Sequence, residues 1–359
     1  MAVLAVEHRG FRNLVDARTE LSGGIAVIHG PNGAGKTNLL EALYFGLTGH
    51  SFRTGIERDM IRHDEAAARV ELELDQPSST LLAALERSGE RRHLLDGTPL
   101  GGERGRRPLV CVFHPDRLQL VKGAPAHRRA HLDRLCGAIW PARADLRRRF
   151  GRTLAQRNAL VARIRSGLGG ADSLASWDDR LASEAVPLIA ARAGTVEALA
   201  GPFSRLAAGL GLPPAEISYR PRAPGELDRI VAELAERRGR DLGRAYTSYG
   251  PQLDEIELRL AGRSLRRYGS QGQQRLVLLA LLFAEREALM EAGKGSPLML
   301  LDDVMSELDP EHRELLVGLL DGGQALITAT EAAHVPSSRA RLIGVREGAL
   351  AAPPVLRAA

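Results

Sequence analysis

The sequence is poor in aromatic residues and in cysteine. Phe, Trp and Tyr together make up 4% of the 359 residues, so the core is expected to consist mainly of Leu, Val, Ile and Ala. Cys111 and Cys136 lie in separate segments, without the spacing of a zinc site or a disulfide framework. No apolar run reaches the roughly 18 residues of a membrane-spanning helix, and no signal-peptide pattern opens the chain. These absences predict a soluble, cytoplasmic protein without a membrane partner.

Lysine is also scarce, and the arginines are unevenly distributed. Lys36, Lys122 and Lys294 are the only lysines, and the formal net charge is +5. Residues 128–165 contain eleven arginines and two aspartates, a local charge of +9, so the rest of the chain carries −4. Such a segment indicates a polyanionic partner. A solvated helix face is the commoner explanation of a charge run, and both interpretations stay open at this point.

Strand-like patterns lie near both ends of the chain. Residues 2–8 and 14–20 resemble a β-hairpin, and residues 66–97 alternate enough to predict further strands. Short apolar runs predict buried strands at 24–29, 109–113, 298–301 and 325–330. The Gly- and Arg-rich stretch Gly101–Pro108 predicts a loop between them.

The middle of the chain has a helical pattern instead. Between about 124 and 240 the apolar residues recur every three to four positions, with breaks expected at Gly167–Gly170 and Gly201–Pro202. No heptad pattern is long enough for a coiled coil. We therefore expect an α/β protein with two lobes. Residues 1–123 and 241–359 would form the first, and residues 124–240 an inserted, mainly α-helical lobe.

A complete phosphate-binding motif lies between a predicted strand and a predicted helix. Its eight residues match GxxxxGK[ST] in full: Gly30, Pro31, Asn32, Gly33, Ala34, Gly35, Lys36 and Thr37. Glycines allow backbone N–H groups to turn towards a polyphosphate, and the helix N-terminus adds its dipole. Lys36 would neutralise the β- and γ-phosphates, and the Thr37 hydroxyl would bind Mg²⁺. The alternative is a chance glycine turn, which the strand and helix on either side disfavour.

An apolar run that ends in two acids provides the expected second metal ligand. Residues 298–301 are Leu-Met-Leu-Leu, and Asp302 and Asp303 follow. Asp302 would bind Mg²⁺ through water, and Asp303 would orient or deprotonate the attacking water. Alone, this pattern is common and could be a turn. Together with the phosphate loop it predicts a Walker B motif.

A second candidate anion site begins another helix. Ser270 is a good N-cap, and Gly272 exposes backbone near the start of an apolar helix that runs to about Met290. The Walker B strand follows, and after it comes the turn Ser306-Glu307-Leu308-Asp309. A plain N-cap explains Ser270, but it does not explain this order of motifs.

The order of the four motifs resembles that of ABC-type ATPases. The resemblance implies an ABC-type P-loop ATPase lobe with ATP and Mg²⁺ as cofactors, and Lys36 and Asp303 as catalytic residues. It implies an ATP-dependent homodimer with two ATP molecules between the protomers. The signature residues that would reach the γ-phosphate in the second subunit are Ser270, Gln271, Gly272 and Gln273. The D-loop residues at that interface would be Ser306 and Asp309.

Further segments narrow the resemblance. Phe11-Arg12-Asn13 and the Asn38 after the phosphate loop resemble the RecF and SMC heads that act on DNA, which implies that Arg12, Asn13 and Asn38 belong to the ATP-binding region. The segments that resemble the RecF family specifically are 113–118, 122–125, Arg128-Arg129, Leu132-Asp133 and 156–158. The matches run from residue 1 to about 330, and the coiled coil of an SMC protein is missing.

Three departures from the ABC pattern concern the chemistry. Asp303 stands where most ABC ATPases have Glu, and the shorter side chain suggests slow hydrolysis. No Q-loop glutamine is evident, and His114 or Gln119 are the candidates. The strand 325–330 is not followed directly by a switch histidine, and His334 lies further along.

The resemblance to RecF also implies partners. These are double-stranded DNA near junctions with single strands, RecR as a direct partner, and RecO and RecA indirectly. The candidate DNA-binding residues are Arg128, Arg129, Arg147, Arg148 and Arg152. Two alternatives stay open: the ATPase subunit of a membrane transporter, and a DNA clamp in which ATP is only structural.

Overall fold

The structure, a computed structural model, describes residues 2–21, 23–75, 78–100, 109–336 and 340–351. The chain divides into two compact units. The first comprises Met1–Arg117 and Leu289–Ala359, and the second comprises Leu118–Ala288. The loop predicted at Gly101–Pro108 lies outside the described residues.

The first unit contains an antiparallel sheet of six strands. In spatial order the strands are β2 (Ala17–Glu20), β1 (Val3–Arg9), β4 (Ala67–Asp75), β5 (Ser78–Glu86), β6 (Arg91–Leu95) and β7 (Thr98–Pro99). The β1–β2 pair confirms the predicted hairpin, and β4 to β6 confirm the strands expected at 66–97. In β4 Val70, Leu72 and Leu74 are buried while the residues between them are not, as in a sheet with one face on the core.

The second sheet of this unit is mainly parallel. Its strands, in spatial order, are β15 (Ala349–Ala351), β14 (Arg341–Arg346), β3 (Ile25–His29), β13 (Ala325–Ala329), β12 (Leu298–Leu301) and β8 (Val110–Phe113). The strands from β14 to β8 are parallel, and β15 pairs antiparallel with β14. Every residue of β12 and β13 is buried, which confirms the predicted core strands. The carboxyl ends of β3 and β12, with β13 between them, consequently lie at the same edge of the sheet.

Two helices lie wholly within the described residues of the first unit. They are α1 (Lys36–Thr48) and α10 (Pro310–Leu320). Helix α1 packs against β4 and β5 of the antiparallel sheet and against β13 of the parallel sheet. Leu40 and Leu43 of α1 share one apolar core with Leu72 and Leu300, so the helix that follows the phosphate loop is held by both sheets.

The second unit is mainly helical. Its helices are α2 (Gln119–Lys122), α3 (Pro125–Ile139), α4 (Leu146–Arg165), α5 (Leu174–Gly209), α6 (Leu227–Glu236), α7 (Arg238–Arg244), α8 (Leu265–Tyr268) and α9 (Gln271–Glu291), the last of which continues past residue 288. An antiparallel sheet, in the order β11 (Arg263–Ser264), β10 (Glu255–Leu260) and β9 (Ala215–Arg220), accompanies them. No helix within the described ranges is both long and apolar enough to cross a membrane.

The helix break predicted at Gly201–Pro202 is wrong. Helix α5 is continuous, with Pro187 and Pro202 inside it. A proline removes one hydrogen bond from a helix. The buried side chains of Leu199 and Phe203 on either side of that position anchor α5 in the unit, and tertiary packing of this kind provides most of a helix's stability. The break at Gly167–Gly170 is confirmed, because α4 ends before it and α5 begins after it.

The compact units differ from the predicted lobes mainly at the second junction. The second unit extends to Ala288, whereas the inserted lobe was expected to end at residue 240. Strand β10 pairs with β9 from Glu255↔Arg220 to Leu260↔Ala215. This pairing keeps the segment after residue 250 with the second unit, and it places a strand where only helices were expected. The lobe boundaries stay a prediction.

Candidate active site

The phosphate loop connects the carboxyl end of β3 to the first residue of α1. Gly30, Gly33 and Gly35 all have positive φ angles, of 154°, 80° and 116°. A Cβ on Gly30 would lie 2.1 Å from the carbonyl oxygen of Val345, so this position admits only glycine. The turn therefore favours glycine at all three positions because their φ angles are positive, and at Gly30 also because the backbone is closely packed.

The Lys36 side chain folds over the loop. Its Nζ donates hydrogen bonds to the carbonyl oxygens of Gly30 at 2.8 Å and Pro31 at 3.0 Å. Burial lowers the pKa of Lys36 from its usual range, and the carboxylates of Asp303 and Asp302 act in the opposite direction. The ammonium group thus lies in the concave side of the loop, as expected for a group that neutralises phosphate charge.

Asp302 and Asp303 follow β12 and meet the beginning of α1. The Thr37 hydroxyl donates to Oδ1 of Asp302 at 2.8 Å, and the Thr328 hydroxyl of β13 donates to the same oxygen at 2.9 Å. The Asp303 amide donates to the Thr328 hydroxyl at 2.7 Å. Asp302 is buried, whereas Asp303 is exposed and has a φ angle of 50°. The two acids therefore have different surroundings, and only Asp303 faces solvent.

His114 lies beside this acidic edge. Its Nε2 is 3.6 Å from Oδ2 of Asp302, and its ring packs edge-on against Phe52 with 5.2 Å between the ring centroids. Burial lowers the pKa of His114, and the carboxylate of Asp302 opposes that shift. Gln119, the other Q-loop candidate, is the first residue of α2 in the second unit. The structure thus places His114, one of the two candidates, next to the proposed metal ligand.

A buried carboxylate connects the opening of the chain to α1. Glu41 is fully buried and accepts two hydrogen bonds from Arg12, at 3.0 and 2.9 Å. Ser51 donates to it at 2.6 Å, and Arg53 at 3.3 Å. A buried carboxylate is stable only when it is paired in this way. Arg12 therefore stabilises α1 through its hydrogen bonds to Glu41.

Two asparagines form a hydrogen-bonded chain that ends on the phosphate loop. Asn13 donates through Nδ2 to the carbonyl oxygen of Gly33 at 3.2 Å. Asn38 donates to Oδ1 of Asn13 at 2.7 Å and accepts from Arg53 at 2.6 Å. The predicted ATP-region residues Arg12, Asn13 and Asn38 thus lie in one connected network around the loop.

These groups enclose a cavity of about 360 Å³ in the first unit. Its lining residues are Asn32, Gly33, Gly35, Lys36, Thr37, Asn38, Arg53, Asp302, Asp303 and Thr328. Arg53 and Thr328 were not expected from the sequence. Arg53 follows α1 in a polar loop without a motif, and Thr328 is adjacent to Asp302 only through the pairing of β12 with β13.

The signature segment forms the exposed start of α9 in the second unit. Ser270 accepts a hydrogen bond from the Gln273 amide at 3.2 Å, and the Gln273 side chain accepts one from the Ser270 amide at 2.9 Å. This is a reciprocal capping box, so Ser270 is an N-cap as expected. Gln271 and Gly272 are exposed, and a Cβ added to Gly272 would meet nothing closer than 4.0 Å.

The D-loop candidates surround the start of α10. The Ser306 hydroxyl donates to the Asp303 carbonyl oxygen at 2.9 Å. Asp309 is the N-cap of α10 and accepts from the His312 amide at 2.9 Å, which lowers the pKa of Asp309. His334, considered above as a switch residue, lies with its Nδ1 3.4 Å from the Thr330 hydroxyl.

The arginine segment is only partly available to a partner. Arg128 is buried and forms a bidentate pair with Glu255, at 2.8 and 3.0 Å. Arg129 donates to the carbonyl oxygen of Asp254 at 2.7 Å. Because Glu255 neutralises the buried Arg128 within the unit, the interpretation of Arg128 as a DNA contact needs correction. The carbonyl oxygen that Arg129 contacts carries no formal charge, so the interpretation of Arg129 stays a prediction.

The other candidates lie on α4 and are exposed. Arg147 and Arg148 are 58% and 57% exposed and pair with Asp133 at 3.8 Å and Asp145 at 2.8 Å. Arg152, one turn after Arg148, is exposed and has no ion pair with the described residues. The Arg148–Asp145 pair is exposed on both sides and therefore weak, so a phosphate could replace Asp145. The Asp133 side chain is only 4% exposed and pairs more closely with Arg192, at 2.8 Å, so its longer contact leaves Arg147 within reach of a phosphate.

Comparison with known proteins identifies the family. The AAA domain family matches residues 6–92, which include the phosphate loop and most of the antiparallel sheet. The DNA replication and repair protein RecF of Heliobacterium modesticaldum is 37% identical over 347 residues, 92% of this chain and 92% of that protein. The chain belongs to the RecF family. The resemblance predicted from the motifs is confirmed.

Solved structures confirm the fold. The recombination mediator protein RecF-ATP in the RecFOR pathway has a TM-score of 0.86 at 27% identity, over 97% of this chain and 96% of that one. An Smc head bound to the C-winged helix domain of ScpA has a TM-score of 0.57 at 18% identity, over 97% of this chain and 95% of that one, and shares the fold. This member of the RecF family is therefore an ATP-binding, ATP-hydrolysing protein with the predicted ABC-type α/β fold.

Proposed function

We propose that this RecF-family chain is an ATP-driven DNA-binding protein of recombinational repair, and that two copies hold two ATP molecules between them. The observation that carries the proposal is the exposed capping box of Ser270 and Gln273. The cavity at the phosphate loop is lined by residues of the first unit, and the signature segment belongs to the second. An exposed helix N-terminus with open space at Gly272 supports γ-phosphate recognition on a second copy.

Thr37 and Asp302 fit a Mg²⁺ ion bound with ATP. Their hydroxyl and carboxylate oxygens are 2.8 Å apart at the base of the cavity, and oxygen donors of this kind are the ligands that Mg²⁺ prefers. Bound there, Mg²⁺ would neutralise charge on the β- and γ-phosphates. Lys36 would add a second positive charge from the loop side.

Asp303 is suited to orient the attacking water or to accept its proton. It is exposed, lines the cavity, and is fixed through its amide to Thr328. A general base needs a carboxylate within hydrogen-bond reach of the water. The aspartate side chain is one methylene shorter than glutamate, so we propose slow hydrolysis that DNA stimulates and that resets the dimer.

Duplex DNA near single-strand junctions is the proposed partner of the dimer. Arg147, Arg148 and Arg152 on α4 support contact with phosphates rather than bases. Each arginine that neutralises a duplex phosphate adds about 0.9 to the log–log slope of affinity against salt. Replacing Arg148 and Arg152 with Ala should therefore reduce that slope by about 1.8.

Family membership supports protein partners as well. A solved relative described as a mediator in the RecFOR pathway is similar to this chain over 97% of its length. We therefore propose RecR as a direct partner, with RecO and RecA acting indirectly at gaps.

The first experiment measures mass in solution without nucleotide, with ADP–Mg²⁺ and with ATP–Mg²⁺. We expect a dimer only with ATP. Ser270→Asp and Ser270→Asn both retain a good N-cap, but only Asp places a negative charge beside a γ-phosphate. The ATP-dependent dimer should be lost in Ser270→Asp and retained in Ser270→Asn. Ser176→Asp, at another exposed serine of the second unit, is the matched control.

Two outcomes would contradict the proposal. A monomer under every condition, with duplex DNA included, would leave a phosphate-loop ATPase that acts as a single chain. A dimer unaffected by Ser270→Asp would exclude the signature segment from the interface. In parallel, Asp303→Asn should abolish turnover while ATP-driven dimers persist. A wild-type protein that dimerises without turnover would instead favour the clamp with structural ATP.

A further inference from the structure

A groove beside α8 in the second unit is not explained by any of the nucleotide motifs. It lies between α2, α8 and the β10–β11 hairpin, and its volume is about 510 Å³. The cavity at the phosphate loop is smaller, about 360 Å³. Ligand pockets typically have roughly 300–1,000 Å³. We call this feature the α8 groove, defined by Arg263, Arg266, Arg267 and Tyr268.

Part of the charge in the α8 groove is neutralised within the unit. Arg128 forms its bidentate pair with Glu255 on one wall. Arg259 pairs with Glu257 at 3.2 Å on the same strand. These four groups line the groove and together contribute no net charge to it.

The remaining three arginines keep their positive charge. Arg263, Arg266 and Arg267 are exposed and have no ion pair with any residue in the described part of the chain. They lie within five positions of one another, at the end of the β-hairpin and on the short helix that follows it. Three uncompensated guanidinium groups around one concavity attract an anionic ligand.

Tyr268 adds an aromatic surface next to these arginines. It is 68% exposed, more than any other tyrosine that the structure describes as exposed. Its ring stacks on no other described aromatic residue. An exposed ring beside arginines is the arrangement by which proteins bind single-stranded nucleic acids, because the ring stacks on a base while the arginines contact phosphates.

We propose that the α8 groove binds a nucleotide of single-stranded DNA, with its base on Tyr268 and its phosphates on Arg263, Arg266 and Arg267. The inference rests on the proposed DNA-binding function. It assigns the single strand at a junction to the α8 groove, separate from the arginines of α4 that are proposed to contact the duplex. A nucleotide fits better than an acidic peptide, because carboxylates would use the arginines but leave the exposed ring without a partner.

The test measures the affinity of the full-length protein for labelled oligo(dT) and for a blunt duplex by fluorescence anisotropy, with ATP–Mg²⁺ present. Tyr268→Ala should weaken oligo(dT) binding by roughly 5- to 100-fold and leave duplex binding unchanged. Tyr268→Phe should retain binding, because the phenyl ring still stacks. Tyr246→Ala, at another exposed tyrosine of the second unit, is the matched control and should change neither affinity.

The arginines predict a salt effect on the same oligonucleotide. For single strands each neutralised phosphate contributes about 0.7 to the log–log slope of affinity against salt. The double variant Arg266→Ala, Arg267→Ala should therefore reduce the slope by about 1.4 for oligo(dT). The slope for the duplex should stay that of the wild type.

The outcomes separate this inference from the function on which it rests. Wild-type protein that binds neither DNA would contradict the proposed function itself. Duplex binding together with oligo(dT) affinity that Tyr268→Ala does not change would overturn only the α8 groove. Loss of the ATP-dependent dimer in Tyr268→Ala, with oligo(dT) affinity intact, would also overturn it and assign the groove to the dimer interface.

Discussion

Thr328 connects the two acidic residues of the site, and replacing it tests that arrangement directly. Its hydroxyl donates to Oδ1 of Asp302 at 2.9 Å and accepts from the Asp303 amide at 2.7 Å. Thr328 is fully buried in β13. Valine has almost the same shape, so Thr328→Val removes two hydrogen bonds and changes the packing little.

The expected magnitude follows from these two hydrogen bonds. A hydrogen bond to a charged group contributes about 1.5–3 kcal/mol, and a buried amide left without a partner costs about 1–3 kcal/mol. Asp302 keeps the Thr37 hydroxyl at 2.8 Å, and Asp303 is exposed, so water can reach its amide. Both contributions therefore lie near their lower limits. We expect Thr328→Val to reduce the free energy of unfolding by about 2–3 kcal/mol.

The assay is urea unfolding followed by circular dichroism, with Thr195→Val as the matched control. Thr195 is also fully buried, but its hydroxyl donates to the Ala191 carbonyl oxygen of its own helix, at 2.7 Å, rather than to a charged group. Removing this hydroxyl should reduce the free energy of unfolding by less than about 1 kcal/mol. Thr328→Val should also reduce ATP turnover roughly tenfold or more, since the Asp303 amide loses the hydrogen bond that positions this residue. Equal stability losses in both valine variants, with turnover unchanged, would refute this reasoning.

Three further predictions concern the loop, a buried ion pair and pH. Gly30→Ala should abolish binding of a fluorescent ATP analogue because of its backbone clash, whereas Gly33→Ala, with open space around it, should retain binding with about 1–2 kcal/mol of strain. Arg157→Leu should reduce the free energy of unfolding in urea by about 3–5 kcal/mol, because it leaves the buried Asp241 without its cation, whereas Asp178 keeps its pair with Arg238 at 2.7 Å; a loss below about 1 kcal/mol would contradict this. Burial lowers the pKa of His8 below its usual 6.5, so the unfolded chain takes up a proton that the folded chain does not. Thermal stability should therefore decline as pH falls below about 6.5, and an equal decline in His8→Phe would exclude His8 as the cause.

The nucleotide-binding motifs could be predicted because each one is a contiguous turn. The strand, glycine loop and helix around Lys36 require particular backbone angles at adjacent positions, and only glycine tolerates the close approach at Gly30. The capping box of Ser270 and Gln273 likewise involves residues three positions apart. Local geometry of this kind is visible in a single sequence.

Other parts of the fold depend on residues that are distant in the chain. Thr328 reaches Asp302 because β13 pairs with β12, and Arg53 enters the cavity from the loop after α1. The strand β9 was missed because its partner, β10, lies far along the chain. The break at Gly201–Pro202 was predicted wrongly because packing along α5 outweighs the local effect of proline.

The sequence by itself determined the phosphate loop, the Walker B acids and the signature helix cap, because those features depend on neighbouring residues. It indicated the ABC-type fold through the resemblance in the order of those motifs. Only the tertiary structure decided which arginines remain available to a partner. Arg128 is neutralised by Glu255, more than a hundred positions away, while Arg152 and Arg267 stay exposed without an ion pair among the described residues. Charge along a chain can be counted in the sequence, but its neutralisation is a property of contacts that form only on folding.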